Sequence, residues 1–343
     1  MTGQPRRTTP RIGDVARRAG VSTATVSRAL TGAPHVSPDL RERVLAAAAE
    51  LGYVVSPSAS RRASGQTRSV AVVAPFLDRW FFGQVLAGAE EVLREAGYDV
   101  LLYGLPNAAA REAFFTDLPV RRRADAVLVL TLPLTASETD ALLGLGVPVG
   151  AVGVRAPGLS SVGIDDEAGA LAAVNHLLNL GHTRIGMIGG GTSDDWARFT
   201  VSRTRARGYR AALIAAGQEI PTGYQVDGRF TFPGGVLGMA QLLAHPTPPT
   251  AVFAQSDEMA MGALDTLRHA GLTCPGDVSI IGFDDHELAE LIDLTTIGQP
   301  VSAQGRAAAR DLVTRMATGA APTVTTLPTR LILRATTRVL ALT

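Results

Sequence analysis

With 343 residues, 46% of them hydrophobic, the chain is long enough for two or three cores, and its one cysteine, Cys274, excludes an intramolecular disulfide or a multi-cysteine metal site. No apolar run reaches the roughly 18 residues of a transmembrane helix, and residues 1–18 are polar and Arg-rich without the apolar segment of a signal peptide, which points to the cytoplasm and to no membrane partner. Net charge is only +1 but unevenly spread: residues 1–68 hold 11 arginines against 4 acids, and the rest 21 basic against 27 acidic residues, the footprint of a nucleic-acid-binding module fused to something else.

Residues 1–10 read as a disordered arm. Residues 11–53 read as a helical DNA-binding domain. A first helix over 12–18 buries Ile12, Val15 and Ala16 and stops at Gly20, which tolerates positive φ. Ser22 caps a second helix running to Leu30, with Val26 and Leu30 on one face. Ser37-Pro38-Asp39 opens a third, with cap, proline at the first helical position and an acid at the positive end of the dipole; Leu40, Val44, Ala47, Ala48 and Leu51 form its apolar stripe. Residues 54–68, rich in Ser, Arg and Ala, read as a hinge. From Ser69 strands alternate with helices: strands at 70–75, 100–103, 126–130, 147–152, 184–188, 251–254 and 278–282, helices at 82–96, 169–180, 203–216 and 258–270, and a strand-like tail over 327–339. That repetition predicts a doubly wound parallel sheet in two lobes.

The stretch from Ile12-Gly13-Asp14-Val15-Ala16 through Gly20-Val21-Ser22 to Ser27-Arg28-Ala29-Leu30 strongly resembles the head of the LacI/GalR family of transcriptional regulators. The match continues in Val36-Ser37-Pro38, Glu50-Leu51-Gly52-Tyr53, Gly181-His182-Thr183-Arg184-Ile185, Asp257-Glu258-Met259-Ala260, Gly282-Phe283-Asp284-Asp285 and Thr295-Thr296-Ile297-Gly298-Gln299-Pro300. The fold implied is α plus α/β: a three-helix helix-turn-helix head on a two-lobed, periplasmic-binding-protein-like core at 69–343. By resemblance one lobe is about 69–160 plus 298–326 and the other about 161–297 plus 327–343. The family also implies a homodimer on a pseudo-palindromic operator.

In a helix-turn-helix the second helix lies in the major groove with its N-terminal residues at the base edges. That end is Ser22-Thr23-Ala24-Thr25, with Ser27 and Arg28 a turn on. Arg28 can fork onto guanine O6 and N7; a phosphate contact is its competing reading. By resemblance Thr23 and Ala24 are the variable specificity pair, whereas Ser22, Thr25 and Ser27 suit phosphates, which position without specifying. Arg17, Ser37, Tyr53 and Ala59 are further expected DNA positions. Arg62 stands where related chains carry a leucine wedge, and an arginine there suits a narrow A·T minor groove.

Related cores hold a small effector between the lobes. By resemblance Arg205 grips it, Asp284 accepts from it at the carboxyl end of a strand, Phe81, Phe82 and Phe230 offer aromatic faces, and Gln299 adds a polar contact. Ser256 stands where relatives often have asparagine, and Asp165 and Asp166 flank the cleft or an interface. Each has a duller reading: turn residue for Asp284, surface ion pair for Arg205, core for the phenylalanines. Vicinal hydroxyls suit a guanidinium and a carboxylate together, so a sugar is expected, with a purine or nucleoside second and the sign, inducer or corepressor, open. No cofactor is expected. Motifs of the P-loop, the nucleophile elbow and the zinc proteases are missing, leaving an enzyme or a solute-binding protein on the same core as the rival classes.

Overall fold

The computed structural model describes residues 10–30, 36–53, 67–190 and 200–340, which fall into two compact units, Met1–Arg68 and Ser69–Thr343. In the first unit three helices, α1 (Ile12–Ala19), α2 (Thr23–Leu30) and α3 (Pro38–Leu51), enclose one small core. Val15, Val26 and Val44 are fully buried in it, beside Ala16, Ala19, Ala29, Ala47 and Ala48. Full burial of each valine stabilises the unit by about 1.5–3 kcal/mol. The turn between α1 and α2 depends on Gly20, whose φ of 67° lies in the left-handed region. Arg43 closes the same corner by donating from Nη2 to the Ala19 carbonyl at 2.8 Å.

The second unit holds two six-stranded sheets. Strands β1 (Ser69–Ala74), β2 (Asp99–Gly104), β3 (Ala126–Leu130), β4 (Val149–Val152), β5 (Ser160–Ile164) and β11 (Val324–Leu327) form the first, in the order β11-β5-β4-β3-β1-β2 with every pair parallel. The second runs β12-β10-β9-β8-β6-β7, from β6 (Ile185–Gly189), β7 (Gln225–Asp227), β8 (Ala251–Ala254), β9 (Ser279–Asp284), β10 (Thr296–Gly298) and β12 (Arg330–Ile332); it is parallel except where β12 meets β10. The unbroken apolar run of β1 follows from burial on both faces: Val70 and Val72 point into one core with Leu128, and Ala71 and Val73 into the opposite one with Val127 and Val129.

Helices α4 (Trp80–Glu95) and α11 (Val301–Thr318) share one face of the first sheet. They approach backbone to backbone: a Cβ on Gly305 would stand 2.0 Å from the Val85 carbonyl oxygen, so only glycine fits there. Helices α5 (Ala108–Asp117) and α6 (Ala136–Leu143) belong to the same lobe, and α7 (Asp166–Asn179), α8 (Thr200–Ala215), α9 (Phe232–Leu243) and α10 (Asp257–His269) to the other. Among the described residues no helix is long and apolar enough to cross a membrane, and no cluster of His, Cys, Asp or Glu is fit to hold a metal.

Two expectations need correction. The lobe border expected near residue 160 moves beyond Ile164, because β5 pairs with β4 and β11 in the first sheet. The tail expected as strand over 327–339 is strand only in β12, after the end of β11 at Leu327. Beyond β12 the chain is held by irregular bonds instead: the Thr336 hydroxyl donates to the Ile280 carbonyl at 2.8 Å and accepts from the Thr295 N–H at 2.9 Å. A threonine side chain that satisfies backbone groups in this way replaces the ladder a strand would supply.

Candidate functional site

Two surfaces carry the residues singled out in the sequence. The first is the exposed start of α2. Ser22 caps the helix, its Oγ accepting from the Thr25 N–H at 3.1 Å and lying 2.9 Å from the Thr25 hydroxyl. Thr23, Ala24 and Arg28 are exposed, while Thr25 and Ser27 are half-buried beside the fully buried Val26. Packing of Val26 and Ala29 on α1 and α3 therefore fixes which face of α2 is left outward. Ser37, also exposed, caps α3 through the Leu40 N–H at 3.4 Å. Arg17 reaches solvent beside Asp14 at 3.2 Å, and Tyr53 packs against the head's core. Ala59 and Arg62 lie outside the described residues.

The second surface is a cleft of about 590 Å³ between the two sheets, inside the usual range of small-molecule sites. Phe81, Phe82, Arg205, Phe230, Ser256, Asp284 and Gln299 all line it. They converge because the cleft sits at the carboxyl ends of the parallel strands, where open α/β folds place ligands: Ser256 follows β8, Asp284 ends β9 and Gln299 follows β10.

Arg205 is the hub. It is 4% exposed, its Nε donates to Asp166 Oδ1 at 2.8 Å, and its Nη1 donates to the Gln255 carbonyl and faces Asp284 Oδ1 at 3.5 Å. The guanidinium carbon lies over the Phe283 ring, 3.6 Å from its centroid. Both acid partners line the cleft: Asp284 is buried and Asp166 half-buried. Gln299 Nε2 donates to Asp284 Oδ1 at 2.6 Å, and Gln304 in turn donates to Gln299 Oε1 at 2.8 Å. Burial pushes the Asp284 carboxyl up to about 7, against the pull of Arg205 and the Gln299 bond. Its backbone φ of 124°, followed by 58° at Asp285, is rare outside glycine. Phe230 at 53° and Thr131 at 46° share the trait within the same cleft, and such strain gathers where a site must be pre-shaped.

The aromatic positions divide. Phe82, 6% exposed, is largely core, edge-on to Phe76 and Phe81. Phe81 and Phe230 are half-buried and offer ring surface to the cleft. Phe230 packs over Gly190, where a Cβ would come within 2.0 Å of the ring. Ser256 lines the cleft, but its Oγ also accepts from the Met259 N–H at 3.3 Å as the cap of α10. Asp165 likewise caps α7 through the Ala168 N–H at 2.9 Å.

Sequence reasoning passed over Gln255, which is wholly buried and braces the site: Oε1 accepts from the Gly190 N–H at 3.2 Å and Nε2 donates to the Ser202 carbonyl at 3.1 Å. It also passed over Arg79, Arg155, Thr204 and Glu258 in the lining. The one signal available for Gln255 was its place at the exit of an apolar strand.

The head and the core each match a known family. Residues 11–56 match the model for bacterial regulatory proteins of the lacI family, and residues 174–337 that for the periplasmic binding protein-like domain. Over 323 residues the chain is 38% identical to the HTH-type transcriptional repressor CytR of Escherichia coli K12, covering 92% of each protein. Among solved structures, the lac repressor dimer bound to operator and the anti-inducer ONPF matches at 28% identity with a TM-score of 0.83, covering 96% of this chain and 100% of that one. The transcriptional regulator CelR in complex with cellobiose matches at 33% identity with a TM-score of 0.71, covering 95% and 99%.

Proposed function

Since the chain belongs to the lacI family of bacterial regulatory proteins, we propose that it is a repressor that holds a pseudo-palindromic operator as a homodimer and releases it when a sugar fills the cleft. It is a DNA-binding regulator rather than an enzyme. Residues 11–53 read the operator, residues 54–68 act as hinge, and residues 69–343 bind effector and dimerise. In the head, Arg28, Thr23 and Ala24 read bases, and Ser22, Thr25, Ser27, Arg17, Ser37 and Tyr53 hold the backbone, with Ala59 and Arg62 at the minor groove.

The observation that carries the effector reading is the Arg205–Asp284–Gln299 chain of polar contacts. A donor that is always charged stands beside an acceptor, both rigidly held, and together they suit adjacent ligand hydroxyls, one accepting and one donating. The half-buried faces of Phe81 and Phe230 complete a site for the apolar side of a sugar ring. They also suit a nucleobase, so a nucleoside is the second reading. An effector shifts the DNA equilibrium only by its differential affinity for the two states. Thermal-shift screening of the full chain against sugars and nucleosides tests the class, because a ligand that binds only the native state raises its stability. Anisotropy with operator DNA then gives the sign. Stabilisation by nucleosides alone, or tighter operator binding with a sugar, replaces this reading.

A further inference from the structure

The core is acidic overall, with 21 basic against 27 acidic residues beyond residue 68. Against that background Arg121, Arg122 and Arg123 stand consecutively in the turn that leads from α5 to β3, and all three are exposed. The turn is well built. The Arg121 N–H donates to the Leu118 carbonyl at 2.9 Å and the Arg123 N–H to Val120 at 3.0 Å, while Arg122 takes a left-handed φ of 59°. Buried Val120 and Ala124 pin both sides of it.

Several other arginines of the core have acids: Arg111 has Glu138, Arg207 has Glu167, Arg334 has Asp285. Among the described residues none of the three guanidinium groups in the turn has an ion pair or a hydrogen bond. Three like charges in a row repel one another, and no contact within the core offsets that. The position is the second observation. The Asp125 N–H donates to the Ser69 carbonyl at 2.8 Å, and Val70 lies opposite Ala126 in the β1–β3 ladder. The triplet therefore flanks Ser69, where the core receives the chain coming from the DNA-reading unit.

We propose that Arg121, Arg122 and Arg123 form a second DNA contact, sequence-independent, on the phosphates of the duplex the head holds. The contact rests on the family's DNA-binding head but not on any reading of the cleft. It adds affinity without selectivity, since phosphates carry no base identity. In a homodimer it occurs twice. Arginine suits it, because its planar fork meets phosphate oxygens in pairs.

The test uses the full chain and a long mixed-sequence duplex, with affinity followed by fluorescence anisotropy between roughly 50 and 200 mM salt. Every phosphate that the protein neutralises adds about 0.9 to the steepness of log affinity against log salt. R121A/R122A/R123A is expected to flatten the slope by about 2–3 per chain engaged and to weaken binding about tenfold or more at low salt. R121K/R122K/R123K, which keeps the charge, is expected to retain the slope, and this separates a phosphate contact from a disturbed turn. A slope and affinity equal to wild type in the alanine variant overturn the proposal and leave the triplet as a solvated face or a site for an acidic protein. A wild-type chain that binds no duplex overturns the family reading as well; an unchanged slope overturns the proposal alone.

Discussion

The ring of His286 lies against that of Trp80, with centroids 4.5 Å apart and planes 33° from parallel. Trp80 opens α4 on the first sheet, and His286 stands in the loop after β9 on the second, so the stack bridges the two lobes. Each partner adjoins the cleft: Trp80 precedes Phe81, and His286 follows Asp284 by two residues. The loop is anchored from beneath, because the His286 N–H donates to the buried Asp257 at 2.7 Å, and His286 Nδ1 accepts from the Leu288 N–H at 3.0 Å. An aromatic pair of this kind contributes about 0.5–1.5 kcal/mol beyond its burial. His286→Ala is expected to favour separated lobes and weaken effector binding by about 2- to 10-fold, with His286→Phe restoring most of it. Calorimetry with a ligand found by the thermal-shift screen checks this, and an alanine variant of wild-type affinity counts against a bridging role.

Arg205 faces two carboxylates, Asp166 and Asp284, from a site that is almost closed to solvent. Its removal leaves both acids without a cation in a medium that screens poorly. Arg205→Ala is therefore expected to destabilise the core by about 3–5 kcal/mol, the usual cost of breaking a buried pair. Arg205→Lys is expected to keep part of the stability but lose effector binding, since a point charge cannot serve Asp166, the Gln255 carbonyl and a ligand together. Urea unfolding and effector titration separate the two effects; a stable alanine variant would mean the acids are already neutral.

The neighbouring prediction concerns pH. Burial holds the Asp284 carboxyl near 7 and that of Asp257 near 6, both above their ordinary range. A raised folded pKa means the native state binds more protons than the unfolded chain between the ordinary carboxylate range and about 7. The contribution of these groups to stability is full on the acid side and lost as pH rises through those values. Asp284→Asn is expected to flatten the fall in stability between about pH 4 and 7, by up to about 1.4 kcal/mol per pH unit for one proton. Effector binding in the wild type runs the other way, rising with pH, because the ionised carboxylate is the acceptor. Melting curves across that range decide it; identical slopes for wild type and variant would place the titration elsewhere.

Much of this architecture was legible from local chemistry. Gly20, Ser22 and Ser37-Pro38-Asp39 act where the sequence placed them because caps and left-handed turns are decided within a few residues. The cleft positions taken from family motifs fall together because strand ends carry them to one place. The unforeseen contacts are those between distant segments: Arg205 meets Asp166 across 39 residues, and Trp80 meets His286 from the other sheet. Nothing in either neighbourhood marks a partner. The tail failed for a related reason, since Leu331-Ile332-Leu333 has strand composition, but Thr336 satisfies the backbone that a longer ladder would have used.

In the head, Arg28 and Arg17 are both exposed arginines, yet they differ in what their helices present. Arg28 rides on α2, whose opposite face is sealed by Val26 and Ala29, so the Arg28 side of α2 is the one free to enter a groove. Arg17 lies on α1 beside Asp14, 3.2 Å away, on the helix that crosses the DNA backbone in this motif. Arg28→Ala is expected to lose about 1–3 kcal/mol of discrimination between operator and scrambled DNA while retaining non-specific binding. Arg17→Ala is expected to weaken both DNAs alike, with a salt slope smaller by about one. An operator obtained by selection from random duplexes supplies the comparison. If the two substitutions cost selectivity equally, base reading cannot be confined to α2, and the orientation of the head in the groove must be revised.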